Sequence, residues 1–248
     1  MKAIIFAAGL GTRLKPLTDT MPKALVPVDG VPMLQHIIEK LSAFGYDDIV
    51  VNVHHFPDQI IDFIKRSDIP GCTISVSDER DLLRETGGGV RYARPLLEGT
   101  GGFLVHNVDI LSDVDLASFR AQARPEAVST ILVSERQTQR YFLFDDDMRL
   151  VGWTNLATGQ VRSPFGNIDP ARYRMLAFAG IHYMSDAIFA AFDKEKVGDR
   201  FSITDFYISA CDRYPVYGVC PEKLRLLDIG KIDSLAKAEE LLKELRQE

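Results

Sequence analysis

The sequence predicts an α/β fold: a doubly wound, mostly parallel sheet carrying a small antiparallel β insertion. Three observations lead there. Apolar runs without alternation recur at Ala3–Ala7, Asp48–Val53 and Phe103–Asp109, the pattern of strands covered on both faces. Stretches with helical spacing of apolar residues lie between them, so strand and helix alternate as βαβ units require. Between residues 129 and 153 the pattern changes to short strands joined by polar turns, as hairpins would be.

The first strand, Ala3–Ala7, runs into Ala8-Gly9-Leu10-Gly11-Thr12-Arg13. Neither glycine carries a Cβ, so each permits positive φ and close approach of backbone N–H groups to an anion. Arg13 and Lys23 add fixed positive charge, and the stretch reads as a polyphosphate cradle. A Walker loop would end in Gly-Lys-Ser/Thr, whereas Gly11 is followed by Thr12 and Arg13. A dinucleotide fingerprint needs a third glycine where Leu14 stands and a helix that opens at once, which Pro16, Pro22 and Pro27 forbid. The chain is instead expected to run as a long loop to Pro32, a good first helical residue. A helix from Met33 then places Leu34, Ile37, Ile38 and Leu41 on one face.

Asp48–Val53 follows as a second buried strand, Phe56–Lys65 as a helix and Thr73–Ser77 as a strand. Val90–Leu97 reads as a short helix opened by Gly87-Gly88-Gly89, and Phe103–Asp109 as a strand that ends in a carboxylate. Ser129–Ser134, Tyr141–Phe144 and Leu150–Trp153 form the antiparallel part, with Asp145-Asp146-Asp147 as a solvated hairpin turn. Met175–Tyr183 is a further strand, Thr204–Tyr214 a helix and Leu224–Asp228 a last strand ending in an acid. From Asp233, read as an N-cap, an amphipathic helix turns Leu235, Ala238, Leu241, Leu242 and Leu245 inward.

At 248 residues and 46% hydrophobic composition the chain can bury one large core, and a single domain spanning 1–248 is expected. A net charge of −6 argues against long nucleic acid as a partner, since that binding neutralises many phosphates. A small anionic substrate needs only a local positive pocket. Cys72, Cys211 and Cys220 are scattered and odd in number, against both a zinc site and a disulfide framework. No window reaches the apolar length of a membrane span, and the opening apolar run is too short for a secretory signal, so a cytoplasmic location is expected.

In an open parallel sheet ligands bind beyond the carboxyl ends of strands. Gly9–Arg13, Glu85–Gly89 and Asp109 fall there. A hard carboxylate near a phosphate cradle suits Mg²⁺, which binds through one or two carboxylates plus substrate phosphates; Asp109 and Asp228 are the candidates. The competing role for Asp228 is a cap for the last helix. The glycines after Glu85 would let a flat base lie against backbone, or serve as a plain turn. Asn107 could bond a ribose or base, or satisfy a strand end. His54-His55, His106 and His182 read as structural, Trp153 as strand core, and no spacing suggests a covalent nucleophile.

Taken together, Gly9-Leu-Gly-Thr-Arg13, Pro16-Leu-Thr18 and Pro22-Lys-Ala-Leu-Val-Pro27 resemble the signature of the sugar-1-phosphate nucleotidyltransferases, the NDP-sugar pyrophosphorylases. The likeness continues through Glu85-Thr-Gly-Gly-Gly89, Asn107-Val-Asp109, Phe178-Ala-Gly-Ile181 and Leu227-Asp-Ile-Gly230. It implies the nucleotidyltransferase (GT-A-like) sheet and a Mg²⁺-dependent transfer, uridylyl or guanylyl, from a nucleoside triphosphate to a sugar 1-phosphate. By this similarity Ala8, Gly9, Gly11, Thr12 and Arg13 would hold the triphosphate and Lys23 would reach its phosphates, with Arg13 and Lys23 the catalytic cations. Gly87 and Gly88 would approach the base, Asn107 the nucleotide and Gly180 the sugar, while Asp109 and Asp228 would hold the metal.

The chain departs from the family pattern twice. Val108 stands where glycine commonly precedes the first acid, and the Glu-Lys-Pro sugar-phosphate motif of many members is missing after Trp153. The resemblance is strongest to the short, single-domain members without a left-handed β-helix domain. Two alternatives share the first loop: a phosphocholine cytidylyltransferase-like enzyme and a non-catalytic nucleotide-binding regulator.

Overall fold

The computed structural model describes residues 1–67 and 69–246. Strand β1 (Lys2–Phe6) lies between β4 (Asp48–Val53) and β6 (Gly102–Asn107), parallel to both, with Ile4 opposite Val50 and Val105. Outside β4 lies β5 (Thr73–Asp78), also parallel. Helix α1 (Met33–Ala43) joins β1 to β4, and α2 (Pro57–Arg66) joins β4 to β5. A short hairpin, β2 (Pro27–Val28) with β3 (Val31–Pro32), precedes α1.

The absence of alternation in these strands has the expected cause. Ala3, Ile5, Ile49, Val51 and Leu104 enter one core, and Ile4, Val50, Phe103 and Val105 enter another on the opposite face. Successive side chains point to opposite sides of a sheet, so a strand buried on both is apolar throughout.

Two helices, α3 (Glu85–Tyr92) and α4 (Arg94–Leu97), stand where one was expected, and the three glycines lie inside α3 rather than ahead of it. Helix α3 abuts residues 199–203 so closely that a Cβ at Gly88 would lie 2.3 Å from the Asp199 carbonyl oxygen. Glycine is kept there for close approach, against its poor helix propensity.

After β6 come β7 (Ile110–Ser112), α5 (Leu116–Ala121), capped by Asp115, and β8 (Ser129–Ser134). A meander of β9 (Arg140–Phe144), β10 (Leu150–Asn155) and β11 (Gln160–Arg162) forms the antiparallel insertion. Strand β12 (Arg174–Ser185) joins this insertion to the main sheet by pairing antiparallel with β9, β8 and β6. Helices α6 (Ala187–Glu195) and α7 (Ile203–Ala210) follow, then β13 (Val216–Val219), parallel to β8. Finally β14 (Leu226–Asp228) pairs antiparallel with β7, and α8 (Asp233–Leu245) packs Ala238 and Leu242 into the core. Asp233 is the first residue of α8, not its cap, because Ile232 already has helical dihedrals.

No helix among the described residues is long and apolar enough to cross a membrane. His106 and His182 are packed inside: His106 Nδ1 is 2.8 Å from the Asn107 carbonyl oxygen, and His182 Nδ1 is 2.8 Å from the Tyr207 hydroxyl.

Candidate active site

Where the chain leaves β1, the amides of Ala7 and Ala8 donate to Asn52 Oδ1 on β4 at 2.8 and 3.3 Å. Asn52 Nδ2 donates in turn to Glu79 Oε1 at 3.0 Å, and the Glu79 carboxylate is wholly buried just after β5. Burial pushes that carboxyl above its ordinary range, opposed by its hydrogen bonds from Asn52 and Arg84. A Cβ at Gly89 would lie 3.0 Å from both Asn52 Nδ2 and Glu79 Oε1, so α3 closes over this pair. The loop therefore starts from a fixed point. Neither Asn52 nor Glu79 was anticipated as a site residue, although Asn52 is the one polar residue inside the apolar run Ile49–Val53.

Beyond that anchor the loop is not extended but wound into short 3-10 turns at Thr12–Leu14, Leu17–Asp19 and Lys23–Leu25. Leu14 and Ala24 are buried beneath them. Gly11 has φ +65° and no room for a side chain, because a Cβ there would lie 2.8 Å from Thr18 Cγ2. Gly9 is not at positive φ; its role is open space, with no atom within 4 Å of a Cβ built on it.

The backbone segments that carry the two acids lie side by side. Asp228 pairs with Ile110 across β14 and β7, and the amide of Ile229 donates to the Asp109 carbonyl at 2.8 Å. Lys23 Nζ donates to Asp109 Oδ2, joining the first loop to the end of β6. Arg13 reaches the same place from the other side: a Cβ on Gly230 would lie 2.4 Å from Arg13 Nη2 and 2.7 Å from Asp228 Oδ1.

A divalent cation fits these residues. Asp228 Oδ1 is buried with no hydrogen-bond partner, a costly state for a carboxylate oxygen unless something positive meets it. No cluster of three or more His, Cys, Asp or Glu able to hold a metal occurs among the described residues. The donor set is thus a pair of hard oxygen ligands whose remaining positions substrate phosphates would fill, as Mg²⁺ prefers.

Between loop and strand ends lies a cleft of about 400 Å³ whose lining includes Ala8, Gly9, Lys23, Asn107 and Asp109. Its opposite wall comes from Leu83, Glu85, Thr86 and Ser202. Gly87 and Gly88 lie outside that lining: their amides donate to the Phe201 carbonyl at 2.9 and 3.1 Å. The wall that faces the cleft is the first turn of α3, opened by Glu85 at φ +61°. Thr86 Oγ1 accepts from the Ile203 amide at 3.0 Å, tying α3 to the start of α7.

Gly180 lies under Asn107, with φ +75° and a Cβ position 2.8 Å from Asn107 Nδ2, at the irregularity where β12 shifts register against β8. Thr12, in the first 3-10 turn, lies outside the lining of the cleft. Trp153 on β10 is half-buried: it packs against one of the two cores, as expected, and also lines a second cavity.

Comparison with known proteins identifies the family of the chain. The family model described as nucleotidyl transferase matches residues 2–244. The N-acetylmuramate alpha-1-phosphate uridylyltransferase of Caulobacter vibrioides is 32% identical over 229 residues, 90% of this chain and 89% of that protein. Mannose-1-phosphate guanylyltransferase 1 of Arabidopsis thaliana is 40% identical over 119 residues, 47% of this chain but 33% of that protein. Among solved structures, the inositol-1-phosphate CTP transferase of T. maritima superposes with a TM-score of 0.78, covering 99% of this chain and 96% of that one. At 18% identity this last likeness concerns the fold alone. With the family model spanning nearly the whole chain, this protein belongs to the nucleotidyl transferase family.

Proposed function

We propose that this protein transfers a nucleotidyl group from a nucleoside triphosphate to a sugar 1-phosphate, with release of pyrophosphate. The observation that carries the reading is the bonding of Lys23 to Asp109 in the cleft that Gly9 also lines, with the strand that ends in Asp228 paired next to Asp109. The match to the Caulobacter uridylyltransferase over most of both chains supports a sugar phosphate acceptor and uridylyl transfer; the shorter plant match supports guanylyl transfer.

A phosphate monoester is already anionic enough to attack, so no protein nucleophile is required. The task is to hold two repelling anions in line and to stabilise charge on the transferring and leaving oxygens. Ala8 and Gly9, with open space at Gly9, would line the triphosphate. Arg13 would neutralise the leaving phosphates, and Lys23, turning from Asp109, the transferring one. Asp109 and Asp228 would hold a divalent cation such as Mg²⁺, which when bound screens phosphate charge and orients the reacting oxygens. Glu85 and Thr86 would meet the base at the far wall, and Asn107 the nucleotide above Gly180.

The test is pyrophosphate release from a panel of UTP, GTP, CTP and dTTP against several sugar 1-phosphates, with and without Mg²⁺. One strongly preferred pair, dependent on the cation, is expected. Silence across the panel with tight nucleotide binding would instead identify a regulator, and activity confined to CTP with phosphocholine a cytidylyltransferase.

A further inference from the structure

We propose that Glu79 is a positioning residue for the transfer: one buried carboxylate fixes the spacing between the loop that takes the phosphates and the helix wall that faces it, so that the two ends of a nucleotide are held in register. The inference rests on the transferase reading above, and it concerns a residue outside the lining of the cleft.

Glu79 follows the edge strand β5, and its backbone is pinned on both sides. Its amide donates to the Val53 carbonyl at 2.8 Å, and its carbonyl oxygen lies 2.7 Å from His54 Nδ1. From that fixed position the buried side chain bonds to both walls of the cleft. Oε1 accepts from Asn52 Nδ2 at 3.0 Å, and Asn52 Oδ1 holds the amides of Ala7 and Ala8 at the start of the loop. Oε2 accepts at 3.3 Å from the amide of Arg84, the residue that precedes α3. The Arg84 carbonyl accepts in turn from the Phe201 amide at 3.2 Å, which brings in the segment that carries Ser202. Loop, helix and the Ser202 segment thus depend on one carboxylate.

Hydrogen-bond polarity explains the choice of an acid. Asn52 cannot turn its amide over, because Oδ1 is already occupied by two backbone donors, so it presents an N–H to residue 79. Arg84 presents a second N–H. Residue 79 must accept on both sides, which a carboxylate does and an amide cannot. Such a group is costly to bury, and among the described residues its side-chain hydrogen bonds go only to these two walls.

Gly89 completes the arrangement. A Cβ there would lie 3.0 Å from both Asn52 Nδ2 and Glu79 Oε1, so α3 rests directly on this bond. Gly89 is not at positive φ, and alanine is the better helix former. Contact, not conformation, keeps glycine at that position.

The two ends of the cleft then make different demands. Pyrophosphate needs the loop alone, whereas a nucleoside triphosphate has to reach from the loop to the first turn of α3. A small error in the spacing of the walls penalises the whole nucleotide and spares its phosphates.

Two variants test this. Glu79→Gln keeps the shape but sets an N–H against a donor on one side; Gly89→Ala keeps every hydrogen-bonding group and presses α3 away from the pair. Formation of the NDP-sugar, followed by chromatography with the preferred nucleotide and acceptor, gives the KM of each and the inhibition constant of added pyrophosphate. Glu79→Gln should raise the nucleotide KM about tenfold and lower kcat, and Gly89→Ala should raise that KM about threefold, while the pyrophosphate inhibition constant and the acceptor KM stay within about twofold of the parent. A residue that only supports the fold would lower the melting temperature without producing that split. Gly89→Ala should melt within a few degrees of the parent, its gain in helix propensity offsetting the tighter contact; should Glu79→Gln not fold, Gly89→Ala decides alone. Parental nucleotide KM in a folded variant, nucleotide and pyrophosphate weakened alike, or failure of both variants to fold overturns the coupling and leaves the transferase standing. No transfer from any nucleotide and acceptor, or a parent enzyme that pyrophosphate does not inhibit, overturns the reading of the cleft, and this inference with it.

Discussion

Lys23 and Asp109 are bonded side chain to side chain although one sits on the first loop and the other just beyond β6. Lys23 is 9% exposed, so its ammonium has few partners besides this carboxylate and whatever enters the cleft. In the ligand-free protein each neutralises the other. Under the proposed function, an arriving triphosphate and its cation would draw Lys23 and Asp109 apart, so the pair would be a resting contact between two groups of the reaction.

Lys23→Ala and Asp109→Ala should therefore each lower turnover by about two orders of magnitude or more, the usual cost of a stabilising group aimed at developing charge. Far-ultraviolet circular dichroism should remain that of the parent. Near-normal rates from either folded variant would falsify the placement of the reaction at this pair.

Gly230 is predicted to be intolerant for a reason that is local to the site. It is not at positive φ, so alanine fits the backbone, but its methyl group would displace the Arg13 guanidinium and press on Asp228 Oδ1. Gly230→Ala should melt within a few degrees of the parent while activity falls about tenfold or more and the nucleotide KM rises. A variant with parental kinetics would place Arg13 outside the phosphate site.

Asn52→Ala removes the acceptor for two amides and leaves Glu79 with a buried oxygen lacking its donor. An unpaired buried polar group costs about 1–3 kcal/mol, so the melting temperature should drop by roughly 5–10 °C for a chain of this size. Activity should fall as well, because the loop loses its anchor. Thermal unfolding followed beside initial rates distinguishes this from a purely catalytic loss; unchanged melting would show that the amides find other partners.

The two buried histidines predict acid sensitivity. Burial lowers His182 from 6.5 to about 3, with His106 nearby adding to the effect. It lowers His106 from 6.5 to about 4, with the Lys40 charge adding to it. The folded state refuses a proton that the unfolded chain accepts, so the stabilisation is complete above pH 6.5 and is lost as pH falls from there toward 4. Each histidine contributes up to about 1.4 kcal/mol per pH unit in that window. Urea midpoints measured from neutral to mildly acidic pH should fall steadily, and His182→Gln should flatten the slope by about half. An unchanged slope would assign the acid response elsewhere.

Much of this was legible in the chain because the relevant physics is local. Strands buried on both faces must be apolar throughout, and β1, β4 and β6 lie where the unbroken runs placed them. Proline forbids helix, and the segment from Arg13 to Pro32 holds none longer than a 3-10 turn. Among the elements that escaped notice, β7 and β11 are three residues long, too short to display any period. The glycines of α3 misled for the opposite reason. Their sequence reads as a flexible turn, but packing against Phe201 and Asp199 demands a helix face without side chains.

By itself the sequence determined the sheet, the cradle and the kinds of groups available for catalysis, because periodicity of burial, proline geometry and glycine freedom act over a few residues. Only the tertiary structure decided that the strand ending in Asp228 pairs next to Asp109 and that Asn52 holds the loop through Glu79. Those contacts join segments far apart in the chain. Each is weak or costly alone, and each forms only once burial of the two cores has already brought its partners together.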